Sequence, residues 1–160
     1  MPKHAYSEVP IATIPQDILV GIGNVIVTWG RLEHIVDLMI AKLSGFELFD
    51  QRGAIVTAHM TWPLKMDILE SLVTAFVPDH PHLKGYDAIK TLLKKAQEGR
   101  NKIAHGQWGH EDGITHKLRA TARGKLKASI DPITVADLEA INVDVHLAAV
   151  CLWKFVLNVP

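Results

Sequence analysis

The sequence predicts a mainly all-α protein: an up-and-down bundle of four to five helices with a β-hairpin inserted before the last helix. Three observations carry this. Apolar residues recur at alternating spacings of three and four along most of the chain, the pattern of helices that each bury one stripe. One stretch, 114–123, changes to a period of two, as a strand does. The 160 residues, 48% of them apolar, suffice for one core and are too few for two.

Taken in order, residues 1–15 hold three prolines and no periodicity, and are expected to form an extended N-terminal arm. Residues 16–160 are then a single helical domain. Ile18, Ile22, Val25, Trp29, Leu32, Val36, Met39 and Leu43 form the seam of a long first helix from about Gln16 to Leu43, with Ser44-Gly45 as its stop. Gly21, Gly23 and Gly30 within it each cost roughly 1 kcal/mol relative to Ala, so packing must hold this helix. A short helix is expected between Asp50 and His59, and Trp62-Pro63 opens a third, carried by Leu64, Ile68, Leu72 and Phe76 until Pro78. A fourth begins near Leu83 and continues through Tyr86, Ile89, Leu93, Ala96, Arg100 and Ile103, which places Arg100 on an inward seam.

The segment 107–130 then reads as a basic β-hairpin insertion turning at Gly124. Ile114, His116, Leu118, Ala120 and Ala122 lie on one face, and Thr115, Lys117, Arg119, Thr121 and Arg123 on an outer, basic or hydroxylic one. Lys125 and Lys127 continue that outer face. Thr134, three residues before Asp137, is an N-cap for a last helix whose stripe is Leu138, Ile141, Val145, Ala148, Leu152 and Phe155.

Composition excludes several classes. The apolar and charged fractions, 48% and 21%, are those of a globular chain and not of a disordered or fibrous one. No membrane span and no secretory leader are expected: stretches such as LVGIGNVIVTWG are broken by Gly, Asn and Thr, and the first residues lack an apolar run before a cleavage site. A single cysteine, Cys151, rules out an internal disulfide and fits a cytoplasmic protein. The formal charge is zero but unevenly spread, since residues 84–127 hold eleven Lys or Arg against four Asp or Glu, a local +7. Such asymmetry points to an anion-binding surface or to solvated helix and hairpin faces. Lys117, Arg119, Arg123, Lys125 and Lys127, with Lys102 before them, would contact phosphates without reading bases, because no aromatic residue is interleaved among them.

The stretch EGRNKIAHGQWG, 98–109, concentrates the chemistry. On a helix Asn101 and His105 share a face, whereas Arg100 lies about 140° from His105. The two converge through the long arginine stem, through a break at Gly99, or across a symmetry axis. Gly106 suits the position after a helix end, which puts His105 in the last turn, where the helix dipole favours a protonated imidazole. An imidazole can move protons at a ribose 2′-hydroxyl or a leaving 5′-oxygen, and a guanidinium can stabilise phosphate charge, with no metal required.

Arg-x4-His with Asn directly after the Arg, together with WGRLEHIVDLMIAKL in the first helix and RGAIVTAHMTWPLKMDILESL in the middle, resembles the HEPN superfamily over about residues 16–110 and the last helix. The resemblance implies a homodimer in which two Arg/His motifs meet, and a metal-independent endoribonuclease with His105 as acid/base, Arg100 on the phosphate and Asn101 orienting the site. It also implies possible RNA or nucleotide partners and an antitoxin-like protein partner. Because some such bundles are catalytically silent, the alternative is a nucleotide-binding, nucleic-acid-binding or protein-interaction module. Toxin-type members often carry tyrosine where this chain has Gln107, so regulation through that tyrosine is not implied.

Other candidates are weaker. Glu33 falls one step from the Leu32 seam position and could face Arg100 as an orienting carboxylate or a salt-bridge partner. Asp79, His80 and His82 have ligand-like spacing but no third cluster nearby. Neither a metal nor a cofactor is expected, since no phosphate loop or nucleophile motif occurs.

Overall fold

The computed structural model describes residues 13–122 and 126–158. Its elements are α1 (Gln16–Leu43), α2 (Gln51–Thr57), α3 (Trp62–Phe76), a 3-10 turn (Pro81–Gly85), α4 (Tyr86–Ala104), β1 (Gln107–Glu111), β2 (Ile114–Ala122), β3 (Leu126–Pro132) and α5 (Val135–Leu157). A mainly helical bundle with strands ahead of its last helix is therefore what the chain forms. Of the expected arm, residues 1–12 lie outside the described residues, and 13–15 lead irregularly into α1.

α1 has the boundaries its periodicity predicts, and Val25, Trp29, Leu32, Val36, Met39 and Leu43 are buried along it. α5 runs beside it in the same direction. Leu138 seats on Gly21, where a Cβ would stand 2.7 Å from Leu138 Cδ1, and Ile35 and Trp153 line one cleft farther along. α4 runs the opposite way, with Gly99 beneath Ile141 (2.9 Å from a Cβ placed there) and Gly85 beside Phe155. α5 begins with a reciprocal capping box: Asp137 N donates to Thr134 Oγ1 at 3.2 Å and Thr134 N donates to Asp137 Oδ2 at 2.9 Å. By length and composition α5 could span a bilayer, but here six of its residues, Leu138 to Val156, are buried in the bundle.

α3 departs from the expected stripe. Its buried residues are Trp62, Lys65, Leu69 and Val73, while Leu64 is 47% exposed and Ile68, Leu72 and Phe76 are half-buried. The helix is rotated because Trp62 packs against Trp29, ring centroids 4.3 Å apart, and because Lys65 meets Asp37 of α1. The Lys65 ammonium lies 2.7 Å from Asp37 Oδ1 and donates to Oδ2 at 3.0 Å. A charged residue thus occupies a core position that an apolar pattern cannot reveal.

The hairpin is a three-stranded antiparallel sheet of order β1-β2-β3, because the chain already forms a strand directly after α4. Its faces are the reverse of those expected at its base. Thr115 and Lys117 are buried, 4% and 3% exposed, whereas Ile114, Leu118 and Ile130 are 49%, 37% and 67% exposed. The exit from α4 sets this inversion. Gly106 lies so close to β2 that a Cβ would be 2.6 Å from the Leu118 carbonyl oxygen and 2.8 Å from Lys117 Cε, so the Lys117 stem faces the helices. Thr115 is satisfied there, its carbonyl accepting from Ile133 N at 2.9 Å and its hydroxyl 3.0 Å from His110 Nδ1. Trp108 and Ile133 join Ile18, Val25, Ile103 and Leu138 in a second, smaller apolar cluster beneath the sheet.

Removing one partner of the Lys65–Asp37 pair strands a buried charge. Asp37→Ala is expected to lower stability in urea by about 3 kcal/mol, and the double variant Asp37→Leu, Lys65→Met to restore most of it. Burial pushes the Tyr86 hydroxyl up to about 12 from 10.0, with Glu70 and Asp87 adding to the shift. The unfolded chain therefore loses this proton first, so stability present below pH 10.0 should fall as pH rises towards about 12. Urea midpoints across that range check it, and Tyr86→Phe should flatten the decline.

Candidate functional site

Arg100 follows Gly99, whose contact with Ile141 fixes the rotation of α4. One residue on, the arginine stem turns towards α1, and its guanidinium carbon lies 5.5 Å from the Trp29 ring centroid, a cation–π distance. Its Nη1 donates to Asn101 Oδ1 at 3.3 Å and lies 3.3 Å from His105 Nε2. The helix ends at Ala104, and His105 is the extended residue after it (φ −114°, ψ 120°), so its ring folds back to meet the stem. Of the three routes open in the sequence, the arginine stem is the one used, aided by a helix one residue shorter than expected.

The contact has a definite chemical sense. Guanidinium cannot accept, so Arg100 donates and Nε2 must be unprotonated, which leaves the ring proton on Nδ1. In this arrangement Nε2 is the lone-pair nitrogen that could accept a proton. Arg100 and Asn101 are half-buried and His105 is exposed, so the pair faces solvent on one side. Arg100 Nε is buried with no hydrogen-bond partner among the described residues.

The remaining expected site residues are dispersed. Glu33 is half-buried and makes no hydrogen bond or ion pair among the described residues, so the anticipated carboxylate partner of Arg100 is not formed. Glu70 pairs with Lys90. Lys102 is exposed on α4 near the start of α5. Hydrogen bonds from Thr134 hold the Asp137 carboxyl below the usual range, and the positive charge of Lys102 adds to this.

Lys117, expected on the outer basic face, is buried with its ammonium 5.6 Å from the Trp108 ring centroid. It is no surface phosphate contact. Arg119 stands opposite Ser129 and Lys127 opposite Thr121 in the β2–β3 ladder, while Arg123 and Lys125 lie outside the described residues. Among the described residues no group of three His, Cys, Asp or Glu is placed to hold a metal, and the His80 and His82 rings stand 5.9 Å apart.

Sequence reasoning missed Trp29 as the platform beneath Arg100 and Gly106 as the point where β2 crosses the helix end. The signals were present: Trp29 shares the α1 seam, and an inward Arg100 needed an aromatic or acidic partner. Comparison with protein-family models, curated proteins and solved structures returns no match.

Gly106 has φ +133° and the Leu118 carbonyl against it. Gly106→Ala should cost about 2 kcal/mol or more in urea unfolding, since backbone strain and collision combine. It should also shift the His105 ring resonances in NMR spectra.

Proposed function

We propose that the protein is a metal-independent endoribonuclease of HEPN type that acts as a homodimer. The observation that carries this reading is the open Arg100–His105 contact, 3.3 Å between Nη1 and Nε2, with no carboxylate neutralising the guanidinium among the described residues. An unneutralised arginine fits an anionic ligand, and its fork matches two phosphate oxygens. When a phosphodiester replaces Nε2 as acceptor, Nε2 is free to take the proton of the 2′-hydroxyl. The 2′-oxygen then bonds to phosphorus and the bond to the 5′-oxygen breaks, giving a 2′,3′-cyclic phosphate. The leaving oxygen takes a proton from solvent or from the second copy's imidazole. Asn101, as acceptor from Nη1, keeps the guanidinium oriented.

The homodimer has separate support. Leu19, Val20, Ile26 and Val27 are 40% to 72% exposed on the first half of α1, and Gly23 and Gly30 beside them have nothing among the described residues within 4 Å of a Cβ position. Among the described residues nothing offsets the cost of these two helical glycines. A second helix packed closely against them would.

The test is cleavage of single-stranded RNA in excess EDTA. His105→Ala should lower the rate by about 100-fold or more, and Arg100→Lys, which keeps charge but loses the fork, by a similar order. Ile26→Glu with Val27→Glu should yield monomers in sedimentation. Absence of cleavage by the wild type, or cleavage by both site variants at the wild-type rate, would instead leave a binding module whose arginine is held by Trp29 and Asn101.

A further inference from the structure

A second constellation lies on the opposite side of α1 from Trp29 and Arg100. Where α1 and α5 run side by side they leave a cleft of about 310 Å³. Its floor is Ile35 and Ala149, both buried, and its walls are the half-buried Val150 and Trp153. Its rim carries Arg31 from α1 and His146 and Lys154 from α5, all exposed.

Among the described residues no Asp or Glu lines this cleft. None of the three rim side chains makes an ion pair or hydrogen bond among the described residues. Their helical neighbours offer no relief. Three and four residues away stand Val27, Thr28, His34 and Ile35 for Arg31; Asn142, Val143, Ala149 and Val150 for His146; and Val150, Cys151, Leu157 and Asn158 for Lys154. An acid at these spacings would be the nearest helical partner of an exposed cation. Elsewhere on the same bundle Lys65, Lys90 and Lys95 pair with Asp37, Glu70 and Asp144. Around this apolar cleft, by contrast, Arg31 and Lys154 stand with no acid beside them among the described residues.

We infer that the cleft binds a small aromatic anion, a ring-sized apolar body bearing one carboxylate. Its volume is at the lower end for ligand sites, roughly 300 Å³, which suits one or two fused rings and not a long acyl chain or a dinucleotide. The Trp153 indole offers a face or edge for such a ring. Arg31 supplies a fork for the carboxylate and Lys154 a mobile point charge, with His146 adding charge when protonated.

The experiment titrates the full-length protein, labelled with 15N at tryptophan, with 2-naphthoate and with the neutral 2-naphthamide. The Trp153 indole resonance is assigned through Trp153→Phe. Naphthoate should shift this resonance saturably at submillimolar concentration, and naphthamide should bind about tenfold more weakly. Arg31→Gln and Lys154→Gln should each lose about tenfold for naphthoate and little for naphthamide. Both are surface positions, so unchanged urea midpoints verify the fold. Equal affinity for the two probes, wild-type binding by both variants, or no shift of the Trp153 signal at low millimolar naphthoate would overturn the assignment. RNA cleavage is not read in this experiment, so its outcome is independent of the Arg100–His105 reading.

Discussion

The seating of α5 on two glycines is the constraint on which the rest depends. Leu138 presses into the notch at Gly21 and Ile141 into the notch at Gly99, each closer than a Cβ would allow. A glycine inside a helix costs roughly 1 kcal/mol, and here each is offset by bringing a helix axis nearer. The two notches fix how α1 and α4 are rotated about their own axes, because each must present one particular residue to α5. Trp29 and Arg100 follow from that rotation. With Gly99 turned to Ile141, the next residue points along α1, and the guanidinium reaches the Trp29 ring.

That arrangement changes what the arginine can do. A guanidinium on a flexible exposed stem samples many directions, whereas one stacked on an indole and donating to Asn101 and His105 is held in one. The absence of a carboxylate partner among the described residues matters as much as the contacts present. Paired arginines are neutralised and serve as struts; this one keeps its charge beside an imidazole and on the solvent side. Leu93, Ala96 and Ile103, buried on the same helix, anchor the backbone that carries it.

Much of the fold was legible in the sequence because helices announce themselves by period. α1 was readable to the residue, and Thr134 with Asp137 marked the start of α5. What was not legible has physical causes that single positions illustrate. Lys65 occupies a buried place in α3 because Asp37 accompanies it across 28 residues, and no local pattern reports a distant partner. β1 reads Gln-Trp-Gly-His-Glu, a stretch with no apolar alternation and a glycine at its centre, so its pairing with β2 is imposed by the chain reversal at Asp112 and Gly113, both at positive φ. In β2 the alternation was visible but its sense was not. Period two defines two faces without saying which is covered, and here the covered one carries Thr115 and Lys117. For the site, the residues Arg100, Asn101 and His105 were legible, while which of three routes brings Arg100 to His105 was not, since it depends on the helix ending at Ala104.

The local charge of +7 shows how far a sequence total can mislead about a surface. Within residues 84–127, Lys90 and Lys95 are spoken for by Glu70 and Asp144 from other helices, Lys102 stands near Asp137, and Lys117 lies beneath the sheet. Three of these cations therefore face an acid from another helix, and the fourth is enclosed beside Trp108. Arg100 is held by an indole and an amide and not by an acid. The field that an incoming anion meets is set by the cations left over after folding, not by the number in a window. Some of those leftovers stand where a neutral or aromatic surface backs them: Arg100 over Trp29 on one side of α1, and Arg31 with Lys154 around Trp153 on the other. A low-dielectric backing strengthens the attraction of an exposed cation for an anion, so both places favour ligands that bring charge and apolar surface together.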